Sequence, residues 1–142
     1  MKKKKPFVPI TLEIKRLSSK GYGVGLGRKT ETSPLSKVVV PTAVPGDIVI
    51  AEIGPRSKRA YQGKLLEIVN PSPMRRDGVC SHAPSCGGCS LHYMDYESQC
   101  SHKQSVLAEL FKPAFEGKLL PILRAKEHWR YRNKMEYSFS QN

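Results

Sequence analysis

Three cysteines within ten residues, Cys80, Cys86 and Cys89, are the most chemically pointed feature of this 142-residue chain. They stand in C-x5-C-x2-C spacing, and the last two frame Gly87-Gly88. Thiolates are soft ligands, and one metal centre needs several of them converging from a short, bendable stretch. Pro84, Gly87 and Gly88 permit the tight backbone that such wrapping demands. Two centres fit the donors. Zinc would be closed by Cys80, Cys86 and Cys89 with His82 or His92. An iron–sulfur cluster normally takes four thiolates. Spacing does not separate the two, and three free thiols without a metal are the plain alternative. The remaining cysteine, Cys100, falls on the apolar side of an expected helix and reads as a small core residue.

A second chemistry lies in the cations. Lys20, Arg28, Arg56, Lys58 and Arg59 interleave with Tyr22 and Tyr61. Phosphate contacts from Lys and Arg, with bases stacked on tyrosine, are what single-stranded RNA binding requires. The bland reading is that both tyrosines pack a core. Near the end, Arg130, Arg132 and Lys134 alternate with apolar residues, which is either a solvated strand face or a further RNA contact. No Ser-His-Asp set or paired-carboxylate site stands out, and His82, His92, His102 and His128 form no second ligand motif.

The net charge of +12 is unevenly placed. Residues 1–76 carry sixteen Lys/Arg against five Asp/Glu, whereas residues 77–142 carry eight against seven. Without the Lys2–Lys5 block the first part still stands at +7. A basic segment beside a near-neutral one suggests a polyanion-binding module joined to something else. No apolar run approaches the roughly 20 residues of a membrane helix, so no membrane association is expected. The start, Met1-Lys2-Lys3-Lys4-Lys5-Pro6, lacks an apolar stretch behind its charges, so a secretory signal is not expected either. The cytoplasm is the default location, where clustered cysteines bind metal more readily than they form disulfides.

Elements must position these groups. Ile10, Leu12 and Ile14 alternate with Thr11, Glu13 and Lys15, a half-buried strand over 10–17. Residues 20–27 then place glycine at every second position, which clears one strand face for the close approach of another backbone. The surroundings read as strand rather than as a βαβ unit, which argues against a dinucleotide loop. Residues 30–36 form a polar hairpin loop and 37–40 a short strand. Pro45-Gly46 suits the centre of a type II turn. Strands over 47–53 and 61–69 flank a basic loop at 54–59. Five short strands with Gly/Pro turns suggest a small OB-type barrel at 10–70, after a disordered basic tail at 1–9. Asn70-Pro71-Ser72-Pro73 is a rigid exit, and a second unit begins at 74. In it, Asp95 caps a helix running to about Phe111, with Cys100, Leu107, Leu110 and Phe111 on one face. A final alternating strand over 129–139 has no visible partner, so the second unit reads as a domain cut short.

Taken together, these features resemble a known family. Gly21-Tyr22-Gly23-Val24-Gly25, Val44-Pro45-Gly46-Asp47 and the basic loop at 56–59 resemble the TRAM domain, an RNA-binding OB-type barrel. The cysteine loop, Tyr96-Glu97-Ser98-Gln99 with Lys103, and Tyr131-Arg132-Asn133-Lys134 resemble the bacterial 23S ribosomal RNA (uracil-5-)-methyltransferases. The resemblance implies a barrel that grips RNA, a small α/β central domain with a 4Fe-4S cluster, and a catalytic domain that binds S-adenosylmethionine. It makes Cys80, Cys86 and Cys89 three of the four cluster ligands, and adds Asn133 to the expected RNA contacts. The fourth ligand, the catalytic cysteine, the general base and the cofactor site are expected beyond Asn142, so this stretch alone is expected to be inactive. The partner implied is ribosomal RNA in single-stranded or loop form, bound by a monomer. Two other readings stand beside it: a stand-alone RNA-binding module with a structural metal, and a zinc-stabilised ribosome-associated protein.

Overall fold

A computed structural model describes residues 8–57, 59–78, 80–83, 88–112, 117–129 and 133–134. Its elements are β1 (Val8–Leu17), β2 (Gly23–Gly27), β3 (Ser36–Val40), β4 (Ile48–Ser57), β5 (Ala60–Asn70) and α1 (Tyr96–Phe111). The strands close into a barrel in the order β1-β2-β3-β5-β4. β3 and β5 run parallel through Val38↔Tyr61 and Val39↔Gln62, and the neighbouring pairs are antiparallel. This is the expected five-stranded OB-type barrel.

The period-2 pattern of β1 explains why it forms a barrel wall. Leu12 and Ile14 are buried while Thr11, Glu13 and Lys15 are exposed, and the register shift after Ile14 turns Leu17 inward in place of Arg16. Inward residues of β1, β3 and β4 meet in one core of Leu12, Ile14, Val38, Val40, Val49, Ala51 and Ile53, against which Ile10, Tyr61, Leu65 and Ile68 pack. Each fully buried Ile or Leu side chain is worth about 1.5–3 kcal/mol. The alternate glycines do what their spacing predicts. A Cβ on Gly25 would stand 2.5 Å from the Glu13 carbonyl oxygen, so only glycine lets β2 lie this close to the irregular step between Ile14 and Arg16. The Pro45-Gly46 turn also forms, with Gly46 at φ +90° and the Asp47 amide donating to the Val44 carbonyl at 3.0 Å.

Two boundaries differ from the sequence reading. β1 begins at Val8, inside the stretch expected to be a disordered tail, because Val8 and Pro9 pair with Ile53 and Glu52. The basic loop expected at 54–59 is strand as far as Ser57. A register slip between Ile53 and Arg56 absorbs Gly54-Pro55, where proline has no amide to give the ladder. Arg56 therefore pairs with Tyr61 across a tight hairpin. The lysine block Lys2–Lys5 and the final alternating stretch, apart from Trp129, Asn133 and Lys134, lie outside the described residues.

α1 starts where expected. Asp95 is extended at φ −62°, ψ 154°, and its carboxylate accepts from the Ser98 amide at 2.8 Å and the Ser98 hydroxyl at 2.6 Å. Its apolar face is not buried as a whole. Cys100 is 3% exposed, but Leu110 is 68% and Phe111 48% exposed. Of the residues of α1, Cys100 is the buried one.

Candidate nucleic-acid interface and cysteine segment

The cysteine segment is fixed to the barrel by one buried ion pair. Asp47 is fully buried, and Arg75 donates to its carboxylate from Nε at 3.1 and 3.2 Å and from Nη2 at 2.7 Å. The Val44 and Ser72 amides add bonds of 2.7 and 2.9 Å. Burial pushes the Asp47 carboxyl up, but these hydrogen bonds and the guanidinium outweigh it and hold the carboxyl below its ordinary range. Arg75 also donates to the Thr42 carbonyl at 2.8 Å, which steadies a β-branched residue at φ +64°. Its guanidinium lies 5.3 Å from the Tyr93 ring centroid. Beneath this clamp Leu17 and Val44 of the barrel share a core with Met94, flanked by Met74, Leu91 and Tyr93. The sequence reading marked Asp47 only as part of a turn motif and gave Arg75 no role. A carboxylate behind a Pro-Gly turn and a cation after a proline-rich exit were the available signal.

The cysteines fall into two environments. Cys80 and Cys89 are free and exposed, while Cys100 is buried in α1, as expected of a core residue. Cys86 lies outside the described residues. The Cys80 amide donates to His92 Nε2 at 3.4 Å, and Cys80 Sγ lies 3.9 Å from His82 Nδ1. His92 is 6% exposed, and its buried Nδ1 has no hydrogen-bond partner among the described residues. Tyr93 and Trp129 meet its ring edge-on at 5.2 and 5.6 Å. Among the described residues no three His, Cys, Asp or Glu side chains converge into a metal site. The donor chemistry nonetheless fits a soft metal: two unpaired thiols reach solvent on either side of residues 84–87, and neither is used in a core.

A cavity of about 500 Å³ opens beside Cys89, lined by Arg76, His92, Tyr96, Lys103 and Trp129 among others. His128 and Trp129 close one side of it, at the end of the stretch 117–129 that is laid back along α1. Arg124 forms a two-pronged ion pair with Glu97, Tyr96 stacks on His128 at 3.6 Å, and the Ala125 amide donates to the Tyr96 hydroxyl at 2.9 Å. Tyr96, Glu97 and Gln99 thus have structural work: Gln99 Nε2 donates to the Met94 carbonyl at 3.0 Å.

The expected RNA-binding residues do not form one patch. Lys20 and Tyr22 lie in the β1–β2 loop, near Gly23↔Val40 at one end of β3. Arg56, Arg59 and Tyr61 lie at the β4–β5 turn, and Tyr61 pairs with Val38 at the middle of β3. Arg28 belongs with the second group, and its guanidinium donates to the Ser33 carbonyl at 2.9 Å. Arg56 sits over the Tyr61 ring at 6.0 Å from its centroid, and Tyr61 also packs on the barrel core. Lys20 and Arg28 therefore stand toward opposite ends of a five-residue strand, a span of roughly 17 Å. Lys20, Arg28, Arg56, Arg59, Asn133 and Lys134 are exposed. Lys58, Arg130 and Arg132 lie outside the described residues.

The class these features define is an OB-type barrel with a cationic rim, clamped to a helical segment that presents thiols. The particular relatives are RNA methyltransferases. The chain is 33% identical over 132 residues to an uncharacterized RNA methyltransferase of Bacillus anthracis, covering 90% of this chain and 27% of that protein. It is 38% identical over 102 residues to one from Protochlamydia amoebophila, covering 71% and 23%. It is 33% identical over 141 residues to the 23S rRNA (uracil(1939)-C(5))-methyltransferase RlmD of Legionella pneumophila (strain Corby), covering 97% and 31%. The chain thus spans between about a quarter and a third of the length of these curated relatives, and over that stretch it is homologous to RNA methyltransferases. No protein-family model matches it. No helix among the described residues is long and apolar enough to cross a membrane.

Proposed function

We propose that this chain is the RNA-gripping and cluster-bearing part of an S-adenosylmethionine-dependent 23S rRNA (uracil-5-)-methyltransferase, acting as a monomer in the cytoplasm. The observation that carries the reading is 33% identity across 97% of the chain to a protein named for that reaction. The OB-type barrel with cations at both ends of β3 supports it. In this reading Lys20, Arg28, Arg56, Lys58 and Arg59 bind phosphates of single-stranded or loop RNA, and Tyr22 and Tyr61 offer ring faces to bases. Arg130, Arg132, Asn133 and Lys134 extend the contact. Cys80, Cys86 and Cys89 would hold a 4Fe-4S cluster, whose chemistry when bound is to cross-link the loop through soft thiolate ligation. Residues 1–142 bind substrate and do not by themselves transfer methyl, because the sequence has no strand–glycine-loop–helix unit to hold the methyl donor.

The test uses the whole chain and single-stranded ribosomal RNA fragments, with affinity followed against salt. Changing Arg56, Lys58 and Arg59 together to glutamate should weaken binding across sequences and flatten the salt slope by about 2, since each phosphate contact on a single strand contributes roughly 0.7. Equal binding by this variant and the parent at every salt concentration would show that the hairpin is only a solvated surface. Anaerobically purified protein that contains the cysteine segment should carry iron and sulfide. Stoichiometric zinc with neither iron nor sulfide would instead select the zinc reading, in which the contact between Cys80 and His82 supplies the nitrogen ligand.

A further inference from the structure

The barrel and the cysteine segment meet along a second seam, away from the Asp47–Arg75 clamp, and this seam is open. The β1–β2 loop closes against residues 90–91, and the contact depends on Gly21. That residue has φ +77°, and a Cβ on it would stand 2.8 Å from Leu91 Cδ2 and 3.2 Å from Ser90 Oγ. From the other side α1 approaches the loop through His102, Val106 and Leu107, which face Ser19 and Gly21. Between loop and helix lies a groove of about 680 Å³, a volume within the usual ~300–1,000 Å³ of small-molecule sites. Leu91 and Leu107 are among its apolar walls, and Lys20 and Lys103 stand among its lining residues. Both lysines are exposed, and neither takes part in an ion pair among the described residues.

An apolar slot bordered by two solvated cations matches one ligand shape: a flat, uncharged ring carried on a polyanionic chain. The loop that forms one wall is also one of the two loops through which OB barrels hold oligonucleotides. We propose that this groove seats one unpaired base of a single-stranded RNA, with Lys20 and Lys103 on the flanking phosphates. The inference rests on the RNA-binding reading above and adds to it a defined base site, shared between barrel and helix. A base drawn out of its stack is held by apolar contact on its faces, which Leu91 and Leu107 offer here.

The experiment compares an oligouridine of about 12 nucleotides, within the span of an OB fold, with an abasic ribose–phosphate chain of equal length. The wild-type 142-residue chain should bind the oligouridine about tenfold more tightly than the abasic chain. Leu107→Gln is a neutral change at an exposed helix position, 41% accessible. It should weaken oligouridine binding severalfold and leave abasic binding unchanged. Lys20→Gln with Lys103→Gln should weaken both and reduce the salt slope by about 1.4. In the wild-type protein, 4-thiouridine placed within the oligomer should crosslink to residues 19–21 or 102–107, which needs no variant to fold. If the wild type binds neither polymer, the RNA reading itself falls. Oligouridine binding that responds to Arg56→Glu and Arg59→Glu but ignores both groove variants, or crosslinks lying wholly elsewhere, overturns the groove alone.

Discussion

The barrel and the cysteine segment hold themselves together by different means. The barrel encloses its own core of eight buried apolar residues, supplied by three of its strands and by Ala43. The described part of the segment buries His92, Met94 and Cys100, and Met94 shares its small core with Leu17 and Val44 of the barrel. The first region is thus self-supporting, and the second borrows. It borrows apolar contact at Leu17 and Val44, charge at Asp47, and, in the function proposed here, a metal at its thiols. A barrel with a core of its own can act as the frame on which a core-poor segment is aligned.

The largest effect should come from cutting the point where the borrowing occurs. Asp47→Ala leaves the Arg75 guanidinium, only 11% exposed, beside an empty position, and strands the Val44 and Ser72 amides. Removing one partner of a buried pair costs about 3–5 kcal/mol. Urea unfolding should show that loss, and limited proteolysis should show residues 80–112 opening before the barrel. A loss under about 1 kcal/mol, typical of exposed pairs, would mean that the clamp is peripheral. The same carboxyl gives a pH signature. Its pKa is depressed on folding, so its stabilisation is complete above the ordinary carboxylate range and is lost as pH falls through the folded value. The urea midpoint should fall from about pH 5 downward, and less steeply in Asp47→Asn.

A middle-sized effect should come from the barrel side. On Gly25→Val the new Cβ would meet the Glu13 carbonyl oxygen at 2.5 Å and Leu12 Cδ1 at 2.7 Å. Overpacking of this kind costs about 1–3 kcal/mol. Because the clash is with Leu12 and Glu13 inside the barrel, and the segment takes its shared core and its ion pair from that barrel, residues 80–112 should open together with the barrel rather than before it. Residues 80–112 that stay protected while the barrel opens would show that the segment supports itself and borrows nothing.

The barrel was largely legible in the sequence because its signals are local. Alternation gave β1, the glycine spacing gave a close approach, and Pro45-Gly46 gave the turn with the φ it needs. The strand at Arg56 was not legible, because Gly54-Pro55 reads as a loop unless a partner strand is known to absorb it as a bulge. Long-range pairings were equally hidden. Asp47 and Arg75 are far apart in sequence, and their bond depends on how the proline-rich exit folds back. The positions of Lys20, Arg28, Arg56 and Arg59 in the chain gave no sign that β3 would set them apart along its length. Lys103 was visible only as part of a family motif, and its meeting with Lys20 across a groove is a tertiary fact.

The smallest effect tests the poorest part of the segment. Helical spacing places Cys100, Leu107, Leu110 and Phe111 on one face, and such a face ordinarily means burial. Here only its N-terminal end is covered, and Leu110 remains 68% exposed. Leu110→Ala removes little buried surface and puts the best helix former at an exposed helical position. Stability should therefore change by no more than about 0.5 kcal/mol. The matched substitution in the barrel, Ile14→Ala at 0% exposure, should cost about 2–5 kcal/mol. Both variants are leucine- or isoleucine-to-alanine changes, so their ratio reads burial rather than chemistry. If Leu110→Ala costs as much as Ile14→Ala in urea unfolding of the same chain, α1 is covered along its whole length, and the contrast between a self-supporting barrel and a borrowing segment fails at the helix.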